Sequence, residues 1–223
     1  MNDRLDLSIE TLVNRGKVLN STLFFDRCYE FGYVLNHSLL NYTPEIFLIG
    51  PIFIVNVNNS ILPILQALDR IPPHHLLVVN NTQPGNSALL GDIIMTAAKQ
   101  HQVQGLFVLG NVRDIAQAPV IGIPLWAEGT VLTAAPMGEA CKQFPKSLEI
   151  GDRRLQEGDW LIGDRDGLLT ISADRFRFVL KAAEIKQRKE LAFINKLKEG
   201  QTMAELIGLH THLEGKGPLT IDF

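Results

Sequence analysis

The sequence predicts an α/β fold with a central βαβ unit, a mixed β layer and C-terminal helices. Leu76-Leu-Val-Val-Asn80 and Leu106-Phe-Val-Leu109 are continuous apolar runs, as strands buried on both faces require. Ala88–Gln100, between them, alternates with helical period. From Ile123 to Ile171, short β-branched and aromatic runs alternate with turn residues.

Taken in order, residues 1–44 are polar-mixed and read as a helical segment, with Asn20 or Ser21 capping a helix through Phe31. Glu45 to Val57 reads as two short strands or one bent strand, interrupted at Gly50-Pro51. Ile61–Asp69 has helical spacing and stops before Pro72-Pro73. Asn81 to Ser87 is a turn. Strand, helix and strand then form a βαβ unit with parallel strands and a right-handed crossover. Ile123-Pro-Leu-Trp-Ala, Leu148-Glu-Ile, Asp159–Gly163 and Gly167–Ile171 read as strands of a mixed or antiparallel layer packed on that unit. Ser172-Ala-Asp-Arg opens a helix from Phe176 to about Lys198, and Met203–Leu209 is a last short helix.

No linker separates domains, so the 223 residues read as one domain, 1–223. It comprises an N-terminal segment 1–44, an α/β core 45–172 and C-terminal helices 173–209. The formal charge of −3 disfavours binding nucleic acid through its phosphates. Cys28 and Cys141 are too few and too far apart for a disulfide framework or a zinc site. The charged start, Met1-Asn-Asp-Arg-Leu-Asp, has no secretory pattern, and the longest apolar run, Ile46–Val57, is too short to span a bilayer. The expected setting is the cytoplasm, with no membrane partner.

In open α/β sheets, ligands sit beyond the carboxyl ends of the parallel strands. Here those ends are Gln83–Asp92 and Gly110-Asn-Val-Arg-Asp114. The first can hold an anion with backbone N–H groups and a helix dipole. In the second, Arg113 matches a carboxylate bidentately, and Asp114 is a hard oxygen ligand for Mg2+ or Mn2+. Asp92 starts the intervening helix at the same end. This combination fits a small anionic substrate bound with a divalent cation.

Other motifs carry less. Asp164-Arg-Asp-Gly lacks the later ligands of a calcium loop and reads as a hairpin turn. His74-His75 and His210-Thr-His212 lack a third ligand nearby. Phosphate-binding glycine motifs are absent. Lys186-Gln-Arg-Lys189 reads as a solvated helix face.

Ala88-Leu-Leu-Gly-Asp-Ile-Ile-Met-Thr-Ala-Ala, Gly105-Leu-Phe-Val-Leu-Gly-Asn-Val-Arg-Asp and Gly122-Ile-Pro-Leu-Trp-Ala-Glu-Gly together resemble the class II 4-hydroxy-4-methyl-2-oxoglutarate aldolases, a family that also holds the regulators of ribonuclease activity A. Gly50-Pro51, Ile71-Pro-Pro and Leu155-Gln-Glu-Gly-Asp-Trp-Leu-Ile-Gly-Asp-Arg-Asp-Gly-Leu add to the resemblance. It implies a swivelling β/β/α fold, a homotrimer or hexamer with interfacial active sites, and a divalent metal, Mg2+ or Mn2+. It implies a lyase that cleaves a 4-hydroxy-2-oxo acid to pyruvate and also decarboxylates oxaloacetate.

On this resemblance, Arg113 binds the substrate carboxylate, Asp114 ligates the metal directly and Asp92 does so through water. Gly85, Asn86, Ser87, Ala88, Leu89 and Leu90 present backbone donors to the pyruvoyl group. Glu190 of a neighbouring subunit supplies a further water-mediated carboxylate. The alternative is a non-catalytic regulator that binds an endoribonuclease; Asp92, with twenty residues between it and Arg113-Asp114, favours the enzyme. Two positions depart from the pattern. Glu128 stands where the family carries arginine, and the loop before Ala88 has fewer glycines.

Overall fold

The computed structural model describes residues 7–28, 32–35, 39–83, 85–151 and 153–220. Ten strands and eight helices follow one another along these residues. α1 (Ile9–Gly16) and α2 (Ser21–Cys28) lead into β1 (Gly32–Val34), β2 (Leu40–Asn41) and β3 (Leu48–Val57). α3 (Leu62–Leu68), β4 (Leu76–Asn81), α4 (Asp92–Gln100), β5 (Gly105–Val112), α5 (Gln117–Ile121) and β6 (Leu125–Thr130) come next. β7 (Ser147–Ile150), β8 (Arg153–Gln156), β9 (Trp160–Gly163) and β10 (Leu168–Ile171) precede α6 (Ala173–Lys198), α7 (Met203–Ile207) and α8 (Leu209–Leu213).

Eight strands form one mixed sheet in the order β1-β10-β9-β3-β4-β5-β6-β2. The four central strands β3 to β6 are parallel, and both flanks are antiparallel. The sheet ends on β1 and β2, its shortest strands, which limits the exposed row of unpaired backbone groups.

β3 is one strand, and Gly50-Pro51 is where it changes partners. Leu48 to Pro51 pair antiparallel with β9, and Ile52 to Val57 pair parallel with β4. The Ile52 N–H bonds Asp159 O on the β9 side, so the missing N–H of Pro51 falls on the β4 side, just before that ladder begins. The β9–β10 hairpin therefore extends the sheet edge to edge. This corrects the expected packed layer; among the described residues, only β7 and β8 form a separate two-stranded sheet.

Side chains alternate across β3 and so assign the layers. Ile49, Phe53, Val55 and Val57 pack in the clusters holding α1, α2, α6 and α3, α4, α5. Leu48, Ile52 and Ile54 pack with Leu148, Ile150 and Leu155 of the β7–β8 hairpin. Helices cover one face and the hairpin the other, giving the three-layer β/β/α arrangement. The Trp160 and Phe176 rings, 3.5 Å apart at 1°, dock α6 on the sheet.

Several boundaries differ from expectation. Segment 1–44 is not wholly helical, since β1 and β2 lie within it. α2 ends by Cys28, and residues 29–31 of the expected helix lie outside the described residues. Its cap is Asn20, whose Oδ1 accepts the Leu23 N–H at 2.9 Å. The expected last helix breaks at Gly208 (φ 68°), a left-handed position that glycine adopts freely, and resumes as α8. Asp164 does sit in the β9–β10 turn, where its carboxylate also takes the Ser21 N–H and hydroxyl. The solvated face expected at 186–189 is corrected at Lys186, which is 8% exposed and paired with Asp26. Both cysteines are free. Among the described residues, no helix is long and apolar enough to cross a membrane.

Candidate functional site

β4, α4 and β5 bring their two carboxyl-end loops to one corner. After Val112 the chain turns at Arg113-Asp114, and Asp114 adopts φ 54°. Aspartate tolerates this left-handed region better than most residues. The turn swings its carboxylate across the start of α4. Asp114 Oδ2 lies 3.3 Å from Arg113 Nε and 3.5 Å from the Asp92 amide nitrogen. Asp92 opens α4, where a carboxylate suits the helix dipole, and its Oδ1 accepts the Ile93 N–H at 2.8 Å. The structure thus brings Asp92, Arg113 and Asp114 together.

The expected helix from Ala88 begins instead at Asp92: Ala88 forms isolated bridges with Asn111 and Ala134, and Gly91 is extended. The Ala88 N–H bonds Thr133 O at 2.7 Å, and the Leu89 N–H bonds Asn111 O at 2.9 Å. Leu90 O accepts the Arg113 N–H at 3.0 Å. Ala88 and Leu89 therefore spend their donors on the scaffold, which corrects the expectation that Gly85 to Leu90 act as a set. Among the described residues, no acceptor meets the N–H of Leu90 or Gly91. Those two amides lie beside the Arg113 turn. Gly85 offers its carbonyl to Asn111 Nδ2 at 3.4 Å, and Ser87 Oγ donates to Asn59 Oδ1 at 2.6 Å. Asn86 is exposed beside them.

A pocket of about 220 Å3 opens here, walled by Ile61, Leu65, residues 88–94, Arg113 and Ala134. Its floor is apolar and its rim carries Asp92 and Arg113. Ile93 (78% exposed), Val120 (79%) and Leu132 (94%) stand out on the helices and loops around it.

Glu190 is not brought to this corner. It lies on α6, 3.4 Å from Lys186 Nζ, in a groove with Phe193, Ile194, Leu197 and Met203. None of the buried residues of α6 lies beyond Lys186, so its last turns project from the body. Glu128 is also elsewhere. It lines a separate cavity of about 250 Å3 on the hairpin face, with Asn80, Asn111 and Glu149.

Two supports escaped the sequence reading. Gly91 is needed for space, since a Cβ there would meet Asp114 Oδ2 at 2.4 Å. Asn59, at φ 45°, takes its N–H to Asn81 Oδ1 at 2.9 Å and so steadies the Ser87 loop. The Asn pairs at 58–59 and 80–81, both at strand ends, are the available signal.

Comparison with known proteins identifies relatives of the chain and of its fold. A protein from Halalkalibacterium halodurans named "Putative 4-hydroxy-4-methyl-2-oxoglutarate aldolase" is 27% identical over 145 residues, 65% of this chain and 69% of its own. A Bacillus cereus protein of the same name is 28% identical over 129 residues, 57% of this chain and 80% of its own. The solved structure of the RNA-processing inhibitor RraA from Thermus thermophilis shares the fold, with a TM-score of 0.60 at 21% identity, covering 68% of this chain and 92% of that one. The RraA-like family profile, described as Aldolase/RraA, matches residues 24–170, and the chain belongs to that family.

Proposed function

We propose that this protein is a divalent-metal-dependent lyase that cleaves a 4-hydroxy-2-oxo acid, such as 4-hydroxy-4-methyl-2-oxoglutarate, to pyruvate. Decarboxylation of oxaloacetate is the companion activity. The observation that carries the reading is the corner itself. Arg113, Asp114 and Asp92 converge on two amides that no protein acceptor meets among the described residues.

Arg113 holds the C1 carboxylate, which fixes orientation as well as charge. Leu90 and Gly91 point N–H donors at the same end of the substrate. In cleavage the C4 hydroxyl loses its proton, the C3–C4 bond breaks and its electron pair moves to the C2 oxygen, giving pyruvate enolate and a carbonyl product. The enolate is then protonated at C3. Asp92, with Oδ1 held by Ile93, orients water that carries these protons.

Asp114 and Asp92 are hard oxygen donors suited to Mg2+ or Mn2+, which keep several waters. Among the described residues, no group of three metal-ligating side chains exists in one chain. A cation here would be held by the Asp114 carboxylate directly, by water oriented by Asp92 and by a carboxylate from a neighbouring subunit. When bound, the ion supplies Lewis-acid stabilisation of the charge on the C2 oxygen. The projecting end of α6 with Glu190, and the apolar Ile93, Val120 and Leu132, suit a homotrimer or hexamer whose sites are completed between subunits.

The test is pyruvate release from both substrates, with Mg2+ and with a chelator. Full activity in the chelator overturns the metal reading. No activity on either substrate, together with capture of an endoribonuclease, replaces the enzyme with the regulator.

A further inference from the structure

At the amino ends of the parallel strands, opposite the corner above, lies a broad cleft of about 510 Å3. Its walls come from the segments just before the parallel strands: Phe47, His74, Gln104 and Pro124. Lys17, just after α1, and Lys99, in the last turn of α4, enter from either side.

The cleft's charge is uncompensated. Lys17 Nζ donates to Gln104 Oε1 at 2.6 Å, and Lys99 Nζ donates to Gly122 O at 2.6 Å. Among the described residues, neither ammonium pairs with a carboxylate. Glu45 also lines the cleft, but Arg165 holds it. Glu10 stands 4.0 Å from His74 Nε2. The Lys17 ammonium, exposed at its tip but partly desolvated by the cleft wall, is held below its ordinary pKa first by that desolvation and then by the charge of Lys99, so the two cations feel one another.

The backbone is strained at the same place. Of four non-glycine residues with positive φ among the described residues, His74 (φ 65°) and Gln102 (φ 59°) both line this cleft. The His74 N–H bonds Gln102 O at 2.9 Å, and Gln104 Nε2 reaches His74 Nδ1 at 3.3 Å. Left-handed backbone is unfavourable for non-glycine residues; Gln102 takes it in the turn that ends α4, where its N–H bonds Lys99 O and the Val103 N–H bonds Ala98 O, and it holds this segment against the cleft. The other two such residues, Asn59 and Asp114, support the corner already described.

We propose that this cleft binds a small, multiply charged oxyanion, a carboxylate or a tetrahedral anion, between Lys17 and Lys99, with Gln102, Gln104 and His74 as further polar partners. Two ammonium groups without counter-ions meet such an anion as point charges, and the amides fill its remaining acceptor sites. The site does not depend on the aldolase chemistry, because Arg113 lies at the other end of the strands.

The experiment is calorimetric titration of succinate and, separately, sulfate into the intact protein, with ionic strength fixed by chloride. Saturable binding is expected for at least one anion, and which one binds names the source chemistry. K17Q/K99Q weakens it at least tenfold, K17R/K99R retains it, and R113A leaves it unchanged. Both lysines are exposed, so melting of the double variant should match the parent. No binding of either anion to the parent, equal binding to K17Q/K99Q, or loss in R113A overturns the proposal.

Discussion

Asp114 leans over Gly91. A Cβ on residue 91 would lie 2.4 Å from Asp114 Oδ2, closer than real atoms approach. The glycine therefore gives the carboxylate room to lie against the start of α4. G91A should push Asp114 away from Arg113. A shift of about 1 Å at a reacting centre can cost about 100-fold, so kcat/KM for pyruvate release should fall by that order. Thermal melting recorded beside the assay checks that the loss is local; an active G91A would show the contact to be incidental.

Arg113 and Asp114 should separate in kinetics. R113A removes the carboxylate anchor, and R113K keeps charge without the planar fork. Both should lose about 10²–10³-fold in kcat/KM, with R113K recovering little. D114N should abolish the response to added Mg2+. The checks are substrate titrations and metal titrations of the same preparations.

Cys28 has a pH signature. Burial, helped by the nearby charge of Asp26, pushes its thiol from 9.0 up to about 11. The folded state thus keeps a proton that the unfolded chain releases earlier. The associated stability is fully present below 9.0 and is lost as pH rises toward about 11. Urea midpoints across that window should fall more steeply for the parent than for C28A. Below it, a thiol reagent should label Cys141 in the native protein and spare buried Cys28.

Lys186 and Asp26 give a stability asymmetry. The lysine side chain is 10% exposed and its partner 45%. D26N leaves a buried ammonium with Glu190 alone at 3.4 Å and should cost about 1–3 kcal/mol. K186M leaves two partly exposed carboxylates, Asp26 and Glu190, which water can reach, and should cost less. Chemical denaturation of both variants decides the order.

The legible parts of the fold are those whose signal is local. β4 and β5 are buried on both faces, so their apolar runs are continuous, and α4 carries a clean helical period between them. The site corner was legible for the same reason, because strand ends in a βαβ unit place Asp92 and Arg113-Asp114 together. What depended on distant partners was not legible. Lys186 looked solvated because Asp26 lies 160 residues away. The amides of Ala88 and Leu89 looked available because Thr133 and Asn111 cannot be seen to reach them. The sheet membership of β9 was hidden because its neighbour, β3, lies near the other end of the chain.

That last pairing bears on how the chain is made. Leu48 to Pro51 pair antiparallel with Trp160 to Gly163, which leave the ribosome much later. Until then, the amino half of β3 presents an apolar edge with open backbone groups, a template for another nascent chain. A fragment ending before Asp159 should therefore clump, while the full chain seals the seam on completion and stays dispersed.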